Sequence, residues 1–169
     1  LECEPMGNNA NQLASRFPKM SRIDVVRYLV ARRGDVEAAA SMARSALQWH
    51  DANFPLSFDY LRGAVATDFL EQHGRAKDGT PVIYMRIEKI DKSCASSDQY
   101  ILSSCHMLEW TLSKFPGEVS VTVVMHCSAL DGKASTADLN FVMQFIKIFS
   151  NNYPECLSKL IIFPFPWWG

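Results

Sequence analysis

No apolar run in this 169-residue chain approaches about 18 residues, the length a helix needs to cross a bilayer, so no membrane span is expected. Residues 1–20 are polar and do not read as a secretory leader. An excess of one charge sign is also missing. The net charge of −1 supplies no global field toward nucleic acid or acidic surfaces, and no nucleic-acid partner is expected. The five cysteines, Cys3, Cys94, Cys105, Cys127 and Cys156, are odd in number and form no CxxC pair. Neither a disulfide framework nor a zinc site reads from them, and a reducing, cytoplasmic compartment is the simpler expectation. His50, His73, His106 and His126 show no HxxxH or HExxH spacing, and the glycines form no phosphate loop or dinucleotide fingerprint. No metal and no cofactor are expected. His126 and Cys127 are adjacent, with Asp131 nearby, but neighbours on a strand point to opposite faces and make a poor base–nucleophile pair. Catalysis is not the expected function.

What is present is a chain with 48% hydrophobic residues, long enough for one compact domain with a helical preface. Residues 1–10 carry no periodicity and read as a linker or disordered segment. Residues 11–54 read as helical. Ser21 and Asp24 have capping-box spacing, and Ile23, Val26 and Val30 share one face. Gly34 suits a helix end, and Asp35 can cap a second helix with Val36, Ala40, Ala43 and Leu47 on one face.

Residues 55–169 change rhythm. Leu56 to Gly74 reads as one or two short helices with a loop. An Asp78-Gly79 turn then leads into a strand over 80–87. A helix is predicted over 97–115, closed by Pro116-Gly117, and a strand over 119–127. A turn at Leu130–Lys133 and a second capping-box spacing at Ser135 and Asp138 open a helix to about 151. A strand covers 159–164. The order βαβαβ implies an α/β fold with parallel strands, right-handed crossovers and a sheet covered by helices. The helix over 139–149 is apolar nearly all round, which suits burial on both sides or a greasy face for a ligand. The chain starts at Leu1 and stops at Trp167-Trp168-Gly169 just after a strand, so both ends read as cut.

Three stretches carry a family resemblance: Arg27 to Val36 with Ala38-Ala39 and Trp49, Asp78-Gly79-Thr80-Pro81-Val82, and Tyr153 to Trp167. In this order they resemble the CRAL-TRIO lipid-binding domains, which include phosphatidylinositol/phosphatidylcholine transfer proteins. The resemblance implies an apolar cavity for one lipid; the gate helix and C-terminal part of complete members are absent from this sequence, which reads either as a piece of a longer protein or as a half-domain. It further implies a phospholipid or other hydrophobic small molecule as partner, and transient contact with a membrane surface. Glu155 matches a head-group contact of phosphatidylinositol-binding members, and Arg33 matches a basic residue that helps hold the phosphoinositide end. Val121, Val123, Phe141, Phe145 and Ile148 are expected to line the cavity. Val121 and Val123 stand where choline-lipid binders carry hydroxyls, which disfavours phosphatidylcholine. His126 and Thr80 replace a family aspartate and arginine. Two alternatives remain open: a scaffold that keeps the fold without transferring lipid, and an interaction module, since residues 12–50 also resemble a ubiquitin-associated bundle.

Overall fold

The computed structural model describes residues 3–127 and 139–163. It divides into two compact units, Leu1–Phe54 with Ile148–Cys156, and Pro55–Lys147 with Leu157–Gly169.

The first unit is built on helices α1 (Cys3–Arg16), α2 (Arg22–Ala31) and α3 (Val36–Asn53). The stretch 1–10, expected to be linker or disordered, is corrected here, because α1 begins at Cys3. Ala10 and Leu13 of α1 are buried against Val25, Leu29, Ala39 and Ala43. The few apolar residues of this mostly polar segment give little visible periodicity, yet Ala10, Leu13 and Ala14 anchor it once a groove is available. This also turns α2 from the expected orientation. Val25, Tyr28 and Leu29 are buried, whereas Ile23, Val26 and Val30 stay 37–50% exposed. The caps fall as expected. Ser21 accepts the Asp24 N–H at 3.1 Å, and Asp35 accepts that of Ala38 at 2.9 Å.

The second unit holds α4 (Phe58–Ala66), β1 (Leu70–Arg75), β2 (Pro81–Arg86), α5 (Ser97–Lys114), β3 (Val121–His126) and β4 (Leu157–Phe163). Helix α6 (Leu139–Asn152) runs across the division between the units. The turn at 130–133 and the Ser135/Asp138 spacing lie outside the described residues. The sheet order is β1-β2-β3-β4, with β2, β3 and β4 parallel and β1 antiparallel to β2. The α/β class and the helix-covered sheet are as the sequence predicts. Strand β1 is a correction, because Leu56–Gly74 contains one helix and then a strand. Leu70-Glu71-Gln72-His73 has no apolar alternation of its own. It becomes a strand through hairpin pairing with β2 across the turn at Gly79, whose φ is +92°.

Alternation sorts the sheet into two faces. Ile83, Met85, Val121, Val123 and Met125 are at most 2% exposed. They lie on the side where α5 packs on β1 and β2. Both β2–α5–β3 and β3–α6–β4 step in one direction across the sheet, and right-handed crossovers place both helices on that same side. The opposite face carries Val82, Tyr84, Arg86, Val124 and His126, all only half-buried, with Ile161 and Phe163 at 46% and 64% exposure. One face is a packed core and the other is left largely uncovered.

Gly63 sets how closely α4 approaches the loop before α5. A Cβ there would lie 2.1 Å from the Cys94 carbonyl oxygen, a backbone atom that cannot turn aside. Gly63→Ala is therefore expected to destabilise the second unit by about 1–3 kcal/mol, the usual cost of overpacking, read as a lowered midpoint in thermal or urea unfolding.

Candidate functional site

The uncovered face of the sheet combines an apolar strip with a polar border. Val82, Val124, Ile161 and Phe163 supply the strip across β2, β3 and β4. At the carboxyl ends of β2 and β3 the character changes. The Arg86 guanidinium lies 5.2 Å above the Tyr84 ring and is paired to Glu71 on β1. The Tyr84 and His126 rings stack at 6.1 Å with an interplanar angle of 25°. His126 Nδ1 lies 2.9 Å from a Glu88 carboxylate oxygen. The chain of contacts Glu71, Arg86, Tyr84, His126, Glu88 thus ties three segments together at the carboxyl ends of β2 and β3. Glu71 holds its charge readily, because hydrogen bonding to Arg86 and then to His73 lowers its pKa.

The other end of the face is fixed by Asp78. Its carboxylate accepts from the Thr80 hydroxyl at 2.7 Å and from the Thr80 N–H at 3.1 Å, and it also accepts from Lys159 of β4. The Thr80 hydroxyl meets that of Thr122 at 2.7 Å. Thus the Asp-Gly-Thr-Pro turn does more than reverse the chain, since it ties the starts of β2, β3 and β4 together. The bond to Lys159, followed by those to Thr80, holds the Asp78 pKa well below the ordinary 3.8.

Arg33 and Glu155 both belong to the first unit and are both exposed. Neither side chain makes a hydrogen bond or ion pair among the described residues. Each has a left-handed backbone, with φ of +52° and +58°. For Arg33 the cause is the way α2 ends. Gly34 N–H donates to the Leu29 carbonyl at 2.8 Å and Arg33 N–H to that of Val30 at 3.0 Å, the paired bonds of a Schellman closure. Arg33 occupies the position where glycine is usual. Glu155 follows Pro154 in a turn closed by Cys156 N–H on the Tyr153 carbonyl, the place where a type II turn needs positive φ.

The residues read as cavity lining sit elsewhere than the open face. Val121, Val123, Phe141 and Phe145 are at most 1% exposed and pack in the core, while Ile148 is half-buried. On β3 the neighbouring residues Thr122, Val124 and His126 carry the open side. Sequence reading missed Tyr84, Arg86, Glu71 and Glu88. The signal available was in β2, where Ile83 and Met85 alternate with Tyr84 and Arg86. Cys127 is buried, which raises its thiol pKa, with the Glu88 charge adding to this, and His126 is engaged by Glu88. Among the described residues no three His, Cys, Asp or Glu side chains converge as a metal site. No helix among them is long and apolar enough to cross a membrane.

The CRAL/TRIO domain matches residues 67–169. The chain belongs to the CRAL/TRIO domain family. It is 27% identical over 161 residues to Patellin-2 of Arabidopsis thaliana, covering 88% of this chain and 23% of that protein. It is 28% identical to the phosphatidylinositol/phosphatidylcholine transfer protein SFH4 of Arabidopsis thaliana, covering 82% and 26%. With the phosphatidylinositol transfer protein CSR1 of Eremothecium gossypii it shares 27% identity, covering 92% and 40%. The chain therefore spans a quarter to two fifths of the length of these relatives. The names of SFH4 and CSR1 describe those relatives as phospholipid transfer proteins.

Two expectations follow from this geometry. The folded-state pKa of Asp78 lies below its unfolded value. Its stabilising effect is therefore complete above the ordinary carboxyl range and is lost as pH falls through that range toward the folded value. Asp78→Asn should lower the unfolding midpoint at pH 7, and its gap from wild type should narrow steadily below pH 4, as followed by circular dichroism. Separately, Arg33→Gly should leave stability unchanged or raise it by up to about 1 kcal/mol, because relief of the left-handed strain outweighs the added freedom of the unfolded chain. Urea unfolding decides this, and a clear loss would mean that the Arg33 side chain has a packing role.

Proposed function

We propose that this chain binds one amphipathic lipid against the uncovered face of its sheet and exchanges it between membranes, with a phosphatidylinositol-type lipid as the leading ligand. The observation that carries the reading is the face itself. An apolar strip formed by half-buried Val82 and Val124 and exposed Ile161 and Phe163 lies on one side of the sheet, while Ile83, Met85, Val121, Val123 and Met125 are packed on the other. Apolar surface of this kind is expensive in water and gains roughly 0.8 kcal/mol for each methylene it covers, so an acyl chain is held by contact area alone. The polar border from Glu71 to Glu88 supplies hydrogen-bonding groups at one end of that strip.

The names of SFH4 and CSR1 support phosphatidylinositol as the ligand class. Independently of the strip, the family resemblance proposes Arg33 and Glu155 of the first unit as phosphoinositide contacts. Both side chains are exposed and uncommitted among the described residues, and an arginine can meet a phosphate with two parallel hydrogen bonds. Phosphatidylcholine is the weaker candidate. Thr122 is the single hydroxyl residue of β3, and its oxygen is already bonded to Thr80. The mechanism is equilibrium binding and release, with no covalent step, during transient contact between a cytoplasmic protein and a membrane surface.

The test is lipid capture from mixed vesicles of phosphatidylinositol, phosphatidylcholine and phosphatidylserine, read by native mass spectrometry. Wild type should carry one lipid, enriched in phosphatidylinositol. Val124→Asp should abolish capture of every lipid, since a carboxylate would sit in the apolar strip. Arg33→Gly and Glu155→Gly, both compatible with the local backbone, should lower the phosphatidylinositol fraction about tenfold without lowering total capture, about the loss of one charged hydrogen bond. A folded protein that captures no lipid would overturn the reading in favour of a scaffold that does not transfer lipid.

A further inference from the structure

A cavity lies away from the open face, in the corner between α4, the start of β1 and α5. Its volume is about 310 Å³. Leu61 and Phe69, 6% and 1% exposed, form the deep wall, and Val65 and Trp110, 52% and 43% exposed, stand at the mouth. Ser103 also lines it. This serine is 5% exposed, and its hydroxyl has no hydrogen-bond partner among the described residues. Its neighbour Ser104 shows the ordinary solution for a buried helical serine, donating to the Tyr100 carbonyl one turn back at 2.9 Å. Buried hydroxyls are nearly always satisfied, so an unsatisfied one on the wall of an apolar cavity is a vacant hydrogen-bonding position.

We propose that this cleft is a binding site for a small, neutral, ring-shaped alcohol whose hydroxyl pairs with Ser103. The cavity size is at the low end for ligand pockets and suits one or two fused rings. Charge argues for neutrality. The carboxylate in the lining, Asp68, is already held by Lys89 at 3.0 Å, and His106 is exposed. An ionised ligand would lose its hydration against the uncharged deep wall of Leu61 and Phe69. A ring between Phe69, Leu61 and Trp110 would be held by area and aromatic contact, with a single hydrogen bond fixing its orientation. The site stands independently of the lipid reading, because α5 packs on the side of the sheet opposite the open strip.

The experiment titrates the whole chain with 2-naphthol and, in parallel, with naphthalene, followed by amide chemical shifts. Saturable one-to-one binding of 2-naphthol is expected, with shifts confined to residues 61–70 and 103–110, and tighter than that of naphthalene. Ser103→Ala should weaken 2-naphthol about three- to tenfold and leave naphthalene unchanged, as expected for one neutral hydrogen bond. Val65→Trp should weaken both by filling the mouth. The proposal is overturned if 2-naphthol fails to saturate, if its shifts fall on Tyr84, Val124 and Ile161 instead, or if wild type and Ser103→Ala bind it equally.

Discussion

The burial of one side of a mixed sheet organises the second unit. Ile83, Met85, Val121, Val123 and Met125 come from strands far apart in sequence, and all of them vanish from solvent on the same side. Strand alternation then leaves no freedom for the residues between them. Once Val123 is committed to the core, Thr122 and Val124 must face the other way. The polar border is a by-product of the same constraint, since Tyr84, Arg86 and His126 occupy the positions that packing rejects. A single choice of register therefore builds the core and also defines the open face.

The sequence revealed those parts of the fold whose signal is local. The strand over 80–87 and the helix over 97–115 are dense in apolar residues and bounded by turn residues, and they appear within a residue or two of their expected limits. The α1 helix and the β1 strand escaped for opposite reasons. Helix α1 is mostly polar and is held by Ala10, Leu13 and Ala14 together with the Asn9 bond to the Gly34 carbonyl and the Arg16–Glu37 pair, whereas β1 owes its conformation to a partner strand and not to its own side chains. Both are tertiary decisions imposed on weak local preference.

The candidate site was legible in kind but not in detail. Motif resemblance identified a lipid-binding family, and the family assignment follows from the match over residues 67–169. Placement of the cavity residues depended on which valines of β3 face inward. A run such as Val121-Thr122-Val123-Val124 cannot disclose that, because both faces are nearly equally apolar. Arg33 and Glu155 pose a different difficulty. Their left-handed backbones are invisible in composition, since each stands where a glycine would be expected from the turn geometry alone. A charged side chain kept at such a position sets local backbone comfort against chemistry, and this tension is itself a reason to examine those two residues.

The strand order of the sheet, β1-β2-β3-β4, is also the order of the chain. A ribosome releasing this polypeptide therefore delivers each strand next to one that is already in place, and none has to be inserted between earlier partners. Parallel pairing normally makes folding slow, because each crossover must close before its contacts form. Here that delay comes in successive short instalments during synthesis, matched to the vectorial emergence of the chain. Assembly by accretion leaves β3 without its second neighbour until β4 has been made, so the period between the two is when the nascent sheet most needs protection from other chains.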